Sequence, residues 1–346
     1  MRTTNGEPVR VDPGRLSRVH EPRKVTAEWD SVCVNSKSVW DRLDTQDMAF
    51  GLRLEDGTFF HLTSFAENDL PPVPGEVSAL GRFLVRHSVF ANILARRRGR
   101  EEVTFYCLLG RPHGTGWDRM LDQMFLPLGA APLNWRRKIV VETVRATARH
   151  WLDRGVRNFA FLDIGCGGGF DGLDLKRILL ALSNKGVSIP DHRIINVDVD
   201  EKWLGVNERL AQVLLPETHR RQLVRRHVSI FDYLKSDAVA GDLAGMDNLI
   251  VSCNGFADFY DDAALNELYA GIRGIAQRMP EESVLVLPIA MRNPIQGILS
   301  EMVGFGYTAR KKSEISRRVS EMFHGFTIDR CEKHSQITFL VRKELR

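Results

Sequence analysis

The sequence predicts an α/β protein, with a mostly parallel buried sheet over the last two thirds of the chain and a smaller α+β region before it. Three observations carry this. Phe159 to Ile164 is apolar apart from Asp163 and runs into Gly165, Gly167, Gly168 and Gly169, which reads as a strand covered on both faces, a sharp turn and a helix start. A second apolar run, Arg193 to Val199, ends in acid at Asp198 and Asp200. Further apolar runs at Val228–Tyr233, Asp247–Phe256 and Ser283–Ala290 alternate with segments of helical spacing, as repeated βαβ units require.

Taken in order, Met1 to about Asp30 has prolines at 8, 13 and 22, many charges and little periodicity, so no element is expected there. Asp47 to Phe65 reads as a hairpin turning at Asp56-Gly57, a favoured turn pair. Pro71-Pro72-Val73-Pro74-Gly75 breaks the chain, and Val77 to Arg97 then has one helix's spacing. Val103 to Leu109 reads as a strand. Residues 1–114 are thus an accessory unit that recognises substrate, covers a site, forms a homodimer or simply packs on the core; residues 115–346 form the main domain.

Gly114 to Arg136 leads into an amphipathic helix, Arg136 to Trp151. Met120 and Met124 read as core residues. Leu173 to Leu182 is a helix that Asp171 can cap, Lys202 to Leu214 a second, and Ala263 to Met279 a third with Asp261 or Asp262 as cap. Glu314 to Phe323 is a fourth, and Phe326–Cys331 and Gln336–Val341 close the sheet as an antiparallel pair.

Composition excludes several classes. With 346 residues, 43% hydrophobic and 27% charged, the chain has material for a large core. Its net charge of +4, from 48 basic and 44 acidic residues, gives no reason to expect nucleic acid, and Arg96-Arg97-Arg98-Gly99-Arg100 reads as a solvated helix end before an RNA-binding patch. The five cysteines are scattered without a C-x-x-C pair, so neither zinc nor a disulfide frame is expected. No stretch reaches the roughly twenty apolar residues of a membrane span, and the first thirty lack a signal peptide's apolar core, so a cytoplasmic location is expected.

The glycine cluster is G-x-G-G-G without the Lys-Ser/Thr of a P-loop. It is not the G-x-G-x-x-G of dinucleotide folds either, although a nicotinamide enzyme remains an alternative. Strand, Asp163, glycine loop, then a strand-ending acid at Asp198 resembles the class I S-adenosylmethionine (SAM) dependent methyltransferases. That resemblance, over roughly residues 115 to 346, implies a Rossmann-like seven-stranded sheet with SAM on one rim. It assigns SAM contacts to Asp163, Gly165, Cys166, Gly167, Gly169, Asp198 and Val199. It adds Ser229, Ile230 and Asp232 near the adenine, with Ser229 where the family often has acid, and Ser252 and Cys253 on the fourth strand. The segment before the first strand folds over SAM in such enzymes. Asn134 there is either a ligand contact or an ordinary helix N-cap.

Methyl transfer from a sulfonium mainly needs in-line positioning, with a base only if the acceptor must lose a proton early. No base stands out. His113, His324 and His334 lie outside the motifs. Tyr260 and Tyr307 are the candidates for the acceptor side, a ring also being able to face a sulfonium, and Asn254 joins them. The expected activity is methyl transfer to a small, secondary-metabolite type molecule. The alternatives are a SAM cyclase, which forms azetidine-2-carboxylate and releases methylthioadenosine with Asn134, Ser229, Ser252, Asn254 and a tyrosine shaping the bent methionine chain, and a non-catalytic SAM-binding partner protein. A metal is not expected, nor a membrane partner.

Overall fold

The structure is a computed structural model; it describes residues 24–35, 38–46, 49–64, 73, 77–97, 101–254, 256–293, 303–304, 307–308 and 310–343. The N-terminal region begins with α1 (Lys24–Asn35) and a 3-10 turn at Trp40–Arg42. Strands β1 (Leu43–Gln46), β2 (Ala49–Arg53) and β3 (Phe59–Ser64) form a small antiparallel sheet, so the expected hairpin gains a third strand. Val77–Arg97 divides into α2 (Ala79–His87) and α3 (Val89–Arg97), broken at Ser88, whose backbone is extended.

Val103–Leu109, expected as a strand, is helix α4 (Glu101–Leu109). Val103, Phe105, Tyr106 and Cys107 are all buried, so helical amphipathicity never shows in this apolar run. The long helix α5 (Gly116–Arg154) carries Pro127 and Pro132 within it, and its C-cap Gly155 adopts a left-handed conformation, φ 67°.

Seven strands of the described residues form one sheet in the order β6-β5-β4-β7-β8-β10-β9. They are β4 (Asn158–Ile164), β5 (Asp191–Asp198), β6 (Leu223–His227), β7 (Asn248–Ser252), β8 (Ser283–Ala290), β9 (Thr327–Lys333) and β10 (Gln336–Lys343). The first five run parallel, and β10 pairs antiparallel with both β8 and β9. The connecting helices are α6 (Phe170–Asn184), α7 (Glu201–Leu214), α8 (Glu217–Arg220), α9 (Ile230–Lys235), α10 (Asp237–Leu243), α11 (Asp262–Arg278) and α12 (Lys312–Met322). The third parallel strand lies earlier than expected: Ser229 is the N-cap of α9, accepting from the Phe231 amide, so residues 230–235 are helix.

Alternation along β4 shows how the core is divided. Phe159 and Phe161 face a cluster that includes Trp29, Phe50, Phe105 and Trp151, while Ala160, Leu162 and Ile164 face one built with α9, α11 and α12. The first cluster runs without interruption from the N-terminal region to the sheet.

One sequence expectation about α6 is corrected. Its N-cap is Gly169, and Asp171 lies within the first turn. Asp171 instead accepts a hydrogen bond from Trp40 Nε1 at 2.7 Å. One turn on, Asp174 accepts from the Val39 amide at 2.6 Å and from the Ser38 hydroxyl. The 38–42 segment thus clasps the helix that follows the glycine loop.

Candidate functional site

The chain runs from β4 outward to β5 and β6, then returns to the other side of β4 as β7. Adjacent strands therefore send their connections to opposite sides at the carboxyl ends of β4 and β7, which opens a crevice there, the usual ligand position in open α/β sheets. A cavity of ≈ 750 Å³ occupies this place, within the range of small-molecule sites. The sheet rim supplies Gly165, Gly167, Asp198, Val199 and Asn254 to its wall. Phe90 and Leu94 of α3, Glu101 and Cys107 of α4, and Leu128, Pro132 and Arg136 of α5 supply the cover.

The glycine loop is held by its neighbours. The Gly165 amide donates to Val197 O at 2.9 Å, and the Gly167 amide to Asp198 Oδ2 at 2.8 Å. Asp198 Oδ1 accepts from the Asp200 amide at 2.8 Å. Gly167 and Gly169 have φ of 52° and 60°, where L side chains are strained. A Cβ on Gly169 would stand 2.6 Å from Asn207 Nδ2, and one on Gly167 would stand 2.7 Å from Glu101 Cδ and Oε2.

Acidic groups dominate the electrostatics. Burial, then the charges of Asp198, Glu102 and Asp171, push the Glu101 carboxyl up to about 8. Burial also raises Asp163 well above the carboxylate range, with Asp171, Glu101 and Asp198 adding to it. Asp171 is raised to about 6 and Asp198 is raised, each chiefly by burial. The nearby cations are engaged. Arg136 pairs with Asp258 at 2.9 Å, both side chains nearly buried, and Lys202 reaches Glu102 at 3.2 Å and the Thr63 hydroxyl at 3.1 Å.

A raised carboxyl pKa makes the neutral form the stable one in the folded state. Glu101's contribution is complete below its unfolded value near 4.5 and is lost as pH rises through about 8. The ligand-free protein should therefore lose thermal stability between pH 6 and pH 8.5, and Glu101→Gln should flatten that fall. Equal slopes for the two proteins in differential scanning calorimetry would refute it.

The expected site residues divide into three groups. Gly165, Gly167, Asp198, Val199, Asn254 and Tyr307 line the cavity. Asp163, Cys166, Gly169, Ser252 and Cys253 lie behind that wall in or beside the rim; Asp163 and Ser252 are register partners across β4 and β7. Asn134, Tyr260, Ser229, Ile230 and Asp232 are not among the lining residues. Asn134 is not a helix N-cap, because it sits inside α5 and donates to Ala130 O at 3.0 Å. Tyr260 packs edge-on against Phe231, with ring centroids 5.2 Å apart, and burial raises its hydroxyl to about 12. Ile230 is buried in the core and Asp232 is exposed, because they belong to α9 and not to a strand end. Residues 292–312 lie partly outside the described residues, which there are 292–293, 303–304, 307–308 and 310–312.

Sequence reasoning missed Glu101, Arg136, Lys202, Asp258 and Gln336, all of which line the cavity. The pair Glu101-Glu102 ahead of an apolar run was a helix-start signal, acid in the first turn, that pointed to α4. Asp258 accepts from Arg136 and, at 2.6 Å, from the Ala290 amide, so it ties α5 to β8 beneath the cavity. Among the described residues no group of acids, histidines and cysteines is arranged to hold a metal, and no helix is long and apolar enough to cross a membrane. The five cysteines are free thiols.

Comparison with protein-family models gives no match, nor does comparison with curated proteins. Solved structures do match. A candidate methyltransferase from Thermobifida fusca is 18% identical, with a TM-score of 0.50 over 73% of this chain and 97% of that one. A candidate exported protein from Bordetella parapertussis is 16% identical, with a TM-score of 0.49 over 94% of this chain and all of that one. The architecture is the Rossmann-like class I methyltransferase fold, a seven-stranded sheet with a smaller region at its N-terminal side.

Proposed function

We propose that the protein is a SAM-dependent methyltransferase acting on a small molecule. The observation that carries this reading is the meeting of the glycine loop, Asp198 and Asn254 at one end of a cavity that continues between α3, α4 and α5. SAM supplies a methyl group already activated on a sulfonium. The residues present suit such a ligand. Gly167 leaves its backbone bare, Asp198 offers a carboxylate at the strand end, and the acids around them favour a cation over an anion.

The cavity also has walls that suit a small acceptor. Phe90, Leu94, Leu128 and Pro132 give it apolar walls. Gln336, 4% exposed, presents an Oε1 with no donor among the described residues, so an acceptor carrying an O–H or N–H group would meet an unpaired oxygen there. Tyr307 lies on the same cavity wall system.

The test is product analysis by mass spectrometry. Purified protein with SAM and a panel of small hydroxyl- and amine-bearing molecules should give S-adenosylhomocysteine and a product 14 mass units heavier, about one methylene. Methylthioadenosine and azetidine-2-carboxylate from SAM alone would replace this reading with cyclisation. SAM binding without turnover across the panel and a cell extract would leave a binding protein.

A further inference from the structure

Glu101 is the site residue that comes from outside the Rossmann elements. It stands in the first turn of α4, and its carboxyl lies against Gly167, near enough to touch a Cβ placed there. The charged groups facing it come from every element around it. They are Glu102 on α4, Asp198 at the end of β5, Asp163 on β4, Asp171 on α6 and Arg136 on α5. Arg136 already pairs with Asp258, and Lys202 of α7 with Glu102. The carboxyl therefore sits in a field of like charge, which a ligand cation would relieve.

A second observation is independent of the acids. Asn254 lines the same cavity, and its Oδ1 is buried with no donor among the described residues, while its amide group hydrogen-bonds to Asp171. A buried acceptor without a donor is costly, and a ligand N–H removes the cost. A carboxyl and an unpaired amide oxygen on the wall beside a bare glycine backbone together describe a receptor for an ammonium group. A sulfonium has no N–H to offer Asn254.

Resting on the SAM reading, we propose that Glu101 is the counter-ion of the ligand's α-ammonium group and gives up its proton to solvent when the ligand binds. The ammonium keeps its three protons. The Glu101 O–H bond breaks, its electron pair stays on the carboxylate, and the proton goes to the buffer. The raised carboxyl supports this, because near neutral pH the free protein holds Glu101 mostly neutral and an adjacent cation reverses that preference. Affinity for ammonium-bearing ligands then rises with pH up to about 8.

Isothermal titration calorimetry tests this with three ligands: SAM, S-adenosylhomocysteine, and methylthioadenosine, which has the nucleoside but no ammonium. At pH 7, measured in buffers of different ionisation enthalpy, wild-type protein should release about one proton on binding SAM or S-adenosylhomocysteine and none on binding methylthioadenosine. Glu101→Gln should lose the release and bind S-adenosylhomocysteine roughly 10- to 100-fold more weakly, with methylthioadenosine affinity unchanged. The wild-type arm stands even if the variant folds poorly. Binding of S-adenosylhomocysteine without proton release, or equal release with methylthioadenosine, overturns the assignment of Glu101 alone. Failure of all three ligands to bind overturns the SAM reading, and this inference with it.

Discussion

Valine at Gly167 should abolish SAM binding, with a loss of at least about 100-fold by calorimetry, in a protein that still folds. Two effects combine. The position has φ of 52°, where a β-branched residue pays about 2 kcal/mol. The first carbon of the new side chain would also stand 2.7 Å from the Glu101 carboxyl, on the surface offered to the ligand. Gly186→Ala separates the two, since Gly186 has φ of 77° with nothing within 4 Å of a Cβ and lies away from the cavity. It should cost stability and leave binding intact. Asp198→Ala should match the Gly167 variant, because it removes the carboxylate that holds both the Gly167 and the Asp200 amides. Wild-type affinity in either variant would place the ligand elsewhere.

Asp122→Ala should destabilise the fold by roughly 3–5 kcal/mol in chemical denaturation. Asp122 is fully buried in α5 and accepts from the Ser88 hydroxyl at 2.7 Å, the Phe90 amide at 2.9 Å, the His113 amide at 3.2 Å and the Tyr106 hydroxyl. Alanine removes the acceptor of three buried donors, the Ser88 and Tyr106 hydroxyls and the Phe90 amide, at about 1 kcal/mol or more each. One carboxylate thus joins the start of α3, the middle of α4 and the turn before α5. Asp122→Asn keeps the shape but turns a donor toward donors, so it should recover only part of the loss. A change below about 1 kcal/mol for alanine would mean that these bonds are replaced by solvent.

The parts of the chain that were legible share a physical cause. β4, β5, β7 and β8 are buried over most of their length, so their sequences are mainly apolar, with Asp163 and Asn196 among the exceptions, and bounded by glycine or acid. The glycine loop is legible because only glycine tolerates its backbone. α4 was illegible for the converse reason: a helix buried all round has no polar face to set a period. α5 was read only from Arg136 onward, yet the helix starts at Gly116 and runs through Pro127 and Pro132. β6 is an edge strand, Leu-Val-Arg-Arg-His, too polar to stand out from the more apolar run that follows it.

At the site, motif reasoning reached the rim at Gly165, Gly167, Asp198 and Asn254, whose neighbours in sequence announce them. It did not reach Glu101, Arg136 or Gln336, which meet only through the tertiary fold. Asn134 and Asp232 lie in other elements than expected, Asn134 inside a continuous α5 and Asp232 in α9.

The clasp between Trp40 and Asp171 has an optical consequence. Its indole is 7% exposed, donates to a carboxyl in the first turn behind the glycine loop, and lies 4.5 Å from the Phe170 ring. Indole emission shifts with the charge and solvation of its surroundings, and Asp171 belongs to the set of acids around the ligand site. Trp203, on the cavity wall, is a second emitter among the six tryptophans of the chain. The N-terminal region therefore carries an indole hydrogen-bonded to the helix after the loop, and a change in the colour of the protein's own emission on adding SAM is the expected sign of occupancy.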